Sequence, residues 1–149
     1  MPYSQQQYQV RLVLGTPGQV TADVLFWADA FAVEPPAGTQ LVTLRNRAVR
    51  AAEVLALQTQ RNERTSVLVL VAPGTVPGEF SAANLAVAGA FIEALSELGV
   101  DHTSPEAATA LAAWQGVKPA RKHLLRASGA ARASTQPEQI THALELDAD

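Results

Sequence analysis

Seven consecutive residues near the middle of the chain, Ser66-Val-Leu-Val-Leu-Val-Ala72, do most to limit what this sequence can fold into. Successive side chains on a β-strand point to opposite faces. Here both faces are apolar and the run is rich in β-branched residues, so both faces must be covered, which is the condition of a central strand in an α/β sheet. The flanking elements agree with that placement. Tyr8 to Leu14 alternates, with Tyr8, Val10, Leu12 and Leu14 on one face, and Gly15-Thr-Pro-Gly18 ends it. Gln40 to Leu44 reads as a short strand.

Gln19 to Val33 admits two readings. As a helix, Val20, Val24, Trp27, Ala28 and Phe31 share a stripe, with Thr16 as cap and Pro17 in the first turn. As a strand, Val20, Ala22, Val24 and Phe26 alternate. The cap and proline tilt the expectation to the helix. Arg45 to Gln60 is expected to be helical, with Leu44, Ala48, Ala51, Ala52 and Leu55 inward and Arg47, Arg50 and Glu53 outward. Ser81 should cap a helix reaching about Leu98, where Gly99 stops it. Ser104-Pro105 opens another, ending near Gly116, and Lys118 to Arg126 makes a third, short one.

The expected fold is therefore α/β (or α+β): a small mixed or parallel sheet of three to four strands with helices packed on it, followed by a C-terminal helical segment. Residues 1–127 are expected to form one domain ending in a helical hairpin. Residues 128–149 read as a linker and an acidic helix, Pro137 to Leu146, that docks weakly because only Ile140, Ala143 and Leu144 give it an apolar face.

Composition narrows the function classes. Nearly half of the residues are apolar, which excludes a disordered chain. There is no cysteine, so disulfides, thiolate nucleophiles and zinc–thiolate sites are ruled out. The longest uncharged apolar-rich stretch, Phe80 to Ile92, is too short to span a bilayer, and the N-terminus lacks signal-peptide character. A cytoplasmic, membrane-free protein is the expectation.

Charge is segregated along the chain. Residues 1–44 carry net −2, 45–64 net +3, 65–117 net −5, 118–132 net +5 and 133–149 net −4. Such blocks either face each other inside the fold or present a basic surface to an anionic partner. The first basic block supplies Arg45, Arg47 and Arg50; the second supplies Lys118, Arg121, Lys122, Arg126 and Arg132. Glu93 and Glu97, four apart on one helix face, form either a solvated edge or a docking strip for bases such as this chain's own 118–126 segment.

Pro105 to Trp114, the Gln115-Gly116-Val117 turn and Lys118 to Arg126 together resemble a helix-turn-helix over about 25 residues. Leu111, Ala112, Gly116, Trp114 and Leu125 fit that pattern and Lys122 departs from it. The resemblance implies nucleic-acid binding, with Lys118, Arg121, Lys122 and Arg126 facing phosphates. Two loops offer ligand sites instead. Gly15 to Gly18 follows a strand but lacks the lysine of a phosphate-binding loop. Pro73 to Ser81 follows the central strand and offers Thr75, Glu79 and Ser81 as polar groups. Asp101-His102-Thr103-Ser104 is no triad, because triads assemble from distant segments; Ser104 is a helix cap. His102, His123 and His142 lack ligand spacing, so neither metal nor cofactor is expected.

With no catalytic motif, the leading expectation is a non-catalytic assembly or interaction protein. It would be homo-oligomeric and would bind itself or another protein through charged surfaces. The alternatives are nucleic-acid association through 118–132, and a small-ligand enzyme or sensor using loops 15–18 and 73–81.

Overall fold

The structure, a computed structural model, describes residues 7–31, 34–74, 81–127 and 137–149. Four strands form one sheet: β1 (Val10–Leu14), β2 (Val24–Ala28), β3 (Gln40–Val42) and β4 (Val67–Val71). Their order is β1-β4-β2-β3, and every pair is parallel. β4 pairs along its whole length with β1 on one side and β2 on the other, and all five of its residues are buried. The apolar run thus occupies the interior of a parallel sheet, as its two apolar faces require.

Helix α1 (Arg47–Arg61) precedes β4, and α2 (Ala82–Glu97) and α3 (Pro105–Val117) follow it. A 3-10 turn (Lys118–Ala120) leads into α4 (Arg121–Arg126), and α5 (Pro137–Ala143) closes the described chain. Ser81 and Ser104 cap as expected: their hydroxyls accept from the Asn84 and Ala107 amides, each at 3.2 Å. Among the described residues, no helix is long and apolar enough to cross a membrane.

The strand order dictates the layers. The chain moves from β1 to β2, past β4, in one direction, and from β3 through α1 back to β4 in the other. Right-handed crossovers therefore place these connections on opposite faces. α2 packs on β2, β3 and β4, α3 packs on β1, and α1 packs on α2. Val10, Leu12, Phe26, Ala28, Val42, Val67 and Val69 meet them in one core, where the Phe26 and Phe91 rings lie 4.6 Å apart. Arg11 points the other way. Its guanidinium donates to the Thr21 carbonyl, so the 15–23 connection runs over the second face.

Residues 19–31 do not form the expected helix, and 32 and 33 lie outside the described residues. Gly18 has φ +61°, outside the right-handed helical region, and Val24 to Ala28 pair in register with Val67 to Val71. The strand is locked at its start by a reciprocal pair: Asp23 N–H donates to Ser66 Oγ and Ser66 N–H to the Asp23 carboxylate, both at 2.8 Å. Long-range pairing outweighs a local capping signal. α1 is also turned from its expected orientation. Arg47, Ala51 and Val54 face inward, whereas Ala48 and Ala52 are exposed. Burying Val54 removes more apolar area from water than burying an alanine, and Arg47 finds acidic partners inside.

The expected turn at 115–117 is absent. Those residues belong to α3, which continues directly into the 3-10 turn at Pro119. The helix-turn-helix reading thus loses the turn that defines it.

α2 and α3 approach at Gly89, where a β-carbon would lie 2.1 Å from the Ala110 carbonyl oxygen and 2.6 Å from Trp114 Cβ. Alanine favours a helix over glycine by about 1 kcal/mol, but here the backbone of α3 would have to move. Gly89→Ala is expected to destabilise the protein by about 1–3 kcal/mol, read as a lower urea midpoint.

Candidate functional site

Ligands of open parallel sheets gather beyond the carboxyl ends of the strands. In this fold the residues after β2 and β3 stand there. Asp29, Ala30 and Phe31 follow β2, and Thr43, Leu44, Arg45 and Asn46 follow β3. Asn46 holds the second group in place: its side chain accepts from Thr43 N–H at 2.7 Å and donates to the Leu41 carbonyl at 3.2 Å. Asn84 of α2 does the same for the first, accepting from Ala30 N–H at 2.8 Å and donating to the Ala72 carbonyl at 2.9 Å.

A cavity of about 470 Å³ opens between these residues and the C-terminal segment. Phe31, Leu41, Ile140 and Ala143 give it apolar walls. Thr43, Arg45, Asn46, His142 and Asp149 line the remainder. Asp29, next to Ala30 in sequence, is buried, and its carboxylate accepts from the Phe31 amide at 3.0 Å. Burial raises its pKa above the ordinary aspartate value, and the single hydrogen bond only partly opposes this. No salt bridge to Asp29 occurs among the described residues.

Arg45 is the cavity's cation. It donates to Glu145 at 2.8 Å, to Asp149 at 3.0 Å and to the His142 carbonyl at 3.3 Å. Arg47, its neighbour but one, is buried. It bonds Glu93 at 2.9 Å and the Ala90 carbonyl at 3.1 Å, and meets both oxygens of Asp147 at 3.0 and 3.2 Å. The same Glu93 oxygen accepts from Trp114 Nε1 at 3.0 Å and Lys118 Nζ at 2.9 Å. Burial alone would raise the Glu93 carboxyl, but the bonds from Lys118, Arg47 and Trp114 outweigh it and bring the pKa down to about 2.

Arg45, Arg47 and Arg50, expected as a secondary basic surface, each contact acids of this chain. Arg50 pairs with Glu53 at 3.1 Å. The acids that meet Arg45 and Arg47 come from blocks distant in sequence, which is why those two arginines looked free. In the second block Lys118 turns inward to Glu93, as the docking-strip alternative allowed. Arg121 caps the Lys118 carbonyl and Arg126 donates to Thr141, while Lys122 is exposed. No carboxylate salt bridge reaches Arg121, Lys122 or Arg126 among the described residues.

Arg132, Thr75 and Glu79 lie outside the described residues. Ser81 serves as the α2 cap. In the 15–18 loop, the Gly15 amide is already spent on the Val71 carbonyl at 2.9 Å. Among the described residues, no three histidines or carboxylates group as a metal would need. Sequence reasoning missed Asp29, Asn46 and Asn84. Their signal was position just past a strand or at a helix start, and for Asp29 it was hidden by the helical reading of 19–33. No protein-family model matches the chain, and no curated protein matches it.

Two titrations follow. Glu93 has a folded pKa far below its ordinary 4.5, so its stabilisation is complete above about pH 4.5 and is lost as pH falls toward 2. The urea midpoint should drop over that window. Glu93→Gln should flatten the drop and cost about 3 kcal/mol at pH 7, because it removes the negative charge that compensates the buried Arg47 guanidinium and the Lys118 ammonium. Asp29 runs the other way: its raised pKa means stability is lost as pH rises through the folded value. Asp29→Asn should raise the melting temperature at pH 7 and leave it unchanged at pH 3.

Proposed function

We propose that this protein binds a small amphiphilic molecule at the carboxyl edge of its sheet, with an apolar body against Phe31, Leu41 and Ile140 and a polar end toward Thr43, Arg45 and Asn46. The observation that carries the reading is the 470 Å³ cavity at the strand ends, apolar on one side and lined by convergent polar groups on the other. Ligand sites in soluble proteins have this size and this mixture of linings. This keeps the small-ligand class and moves its site from loops 15–18 and 73–81 to the ends of β2 and β3.

An NMR titration with 8-anilinonaphthalene-1-sulfonate, an aromatic body bearing one anion, tests the reading. Amide shifts are expected at residues 30–31, 41–46 and 140–143, and Ala143→Phe, which fills the cavity, should abolish them. Shifts scattered over the surface, or none, would overturn it.

Self-association is a second reading, supported by a different observation. Leu25 and Trp27, on the face away from α1 to α3, are only half-buried. A second copy of the chain would cover these side chains by apolar contact. The first basic block contributes less to such assembly, because Arg45, Arg47 and Arg50 are paired with acids of this chain. Light scattering across salt concentrations should then report a dimer that persists at high salt; a monomer throughout would remove this reading.

A further inference from the structure

The proposed cavity has a cation, and the chain's own tail occupies it. Glu145 and Asp149 both sit on Arg45, and Asp147 sits on Arg47. The tail backbone is aligned to deliver them. Asp147 N–H donates to the Leu44 carbonyl and Asp149 N–H to the Arg45 carbonyl, both at 3.1 Å, a short ladder along the residues that follow β3. Three acidic residues within five positions therefore land on Arg45, just before α1, and on Arg47, its first residue.

We infer that residues 145–149 are an autoinhibitory strap, whose carboxylates compete with an acidic group of the ligand for Arg45. The inference rests on the cavity being a ligand site. Two features favour a reversible strap over a fixed brace. The first is the contrast in exposure among the ion pairs. Arg47 and Glu93 are 6% and 11% exposed, whereas Glu145, Asp147 and Asp149 are 48%, 38% and 53% exposed. Salt screens exposed pairs over about 8 Å at physiological strength and about 3 Å at 1 M, and buried pairs much less. Raising salt thus loosens the tail while leaving the hub that fixes Arg47 intact. The second is chemical redundancy. One guanidinium holds two tail carboxylates, and a ligand anion that replaces either one keeps Arg45 neutralised. Leu144, fully buried, keeps the tail near the site when its charges let go.

The full chain and a Glu145→Gln/Asp149→Asn variant separate the outcomes, using amide exchange at the tail and 8-anilinonaphthalene-1-sulfonate affinity at equal salt. Exchange at the Asp147 and residue-149 amides should quicken about tenfold in the wild type between 20 mM and 1 M NaCl, and equally in the variant at 20 mM, with α2 unchanged. The variant should bind the probe about tenfold more tightly. Tail exchange that ignores both salt and substitution overturns the strap. So does a loosened tail with unchanged probe affinity, which would make it a brace beside a working pocket. Failure of both proteins to bind the probe instead sinks the pocket reading itself, and the strap with it.

Discussion

β4 hydrogen-bonds to β1 and β2 at once, both in parallel, and most of the architecture follows from that one strand. Parallel neighbours cannot be joined by tight turns. The chain must cross over, and the hand of each crossover is set by the direction of travel along the sheet. Movement from β3 back to β4 puts α1 with α2 and α3 on one face. Movement from β1 to β2 sends 15–23 over the other. Parallel strands also end on the same edge of the sheet, so Asp29, Ala30 and Phe31 arrive beside Thr43, Arg45 and Asn46 although no local sequence signal connects them. The reciprocal Asp23–Ser66 bonds and the Asn84 bridge between Ala30 and Ala72 then hold β2 and β4 in register at their two ends.

A second set of constraints is electrostatic. Glu93 collects a guanidinium, an ammonium and an indole N–H on one oxygen, which joins α1, α2, α3 and the turn after α3. Such an arrangement is stable because every partner of the buried charge is itself bonded. Arg47 lies 5.8 Å over the Trp114 ring and passes the network on to Asp147. The tail's thin apolar face would dock it only loosely, but Leu144 is fully buried and its acids meet two arginines. The same contacts that anchor the tail close one side of the cavity, which ties the stability of the C-terminal segment to access at the proposed site.

Much of the fold was legible in the residues themselves. The apolar run at 66–72, the serine caps at 81 and 104, and the alternation at 8–14 each name their element through purely local physics. Where local signals compete, tertiary pairing decided. The stripe in 19–33 and its cap favour a helix, yet register with β4 makes a strand of Val24 to Ala28. Gly116 and the small residues around it suggest a turn, yet α3 runs straight through because packing of Trp114 and Leu125 is satisfied without one.

By itself, then, the sequence determined an α/β fold with a small sheet, the position of its central strand and the starts of its main helices, because propensity, capping and two-sided burial act over a few neighbouring residues; that every strand pair is parallel came from the tertiary structure. It also determined that opposite charges lie in separate blocks. Which charge meets which was decided only by the tertiary structure. Arg45 and Glu145 are a hundred positions apart, and nothing in the spacing of residues along a chain encodes an encounter that depends on how crossovers and layers bring distant segments to the same edge of a sheet.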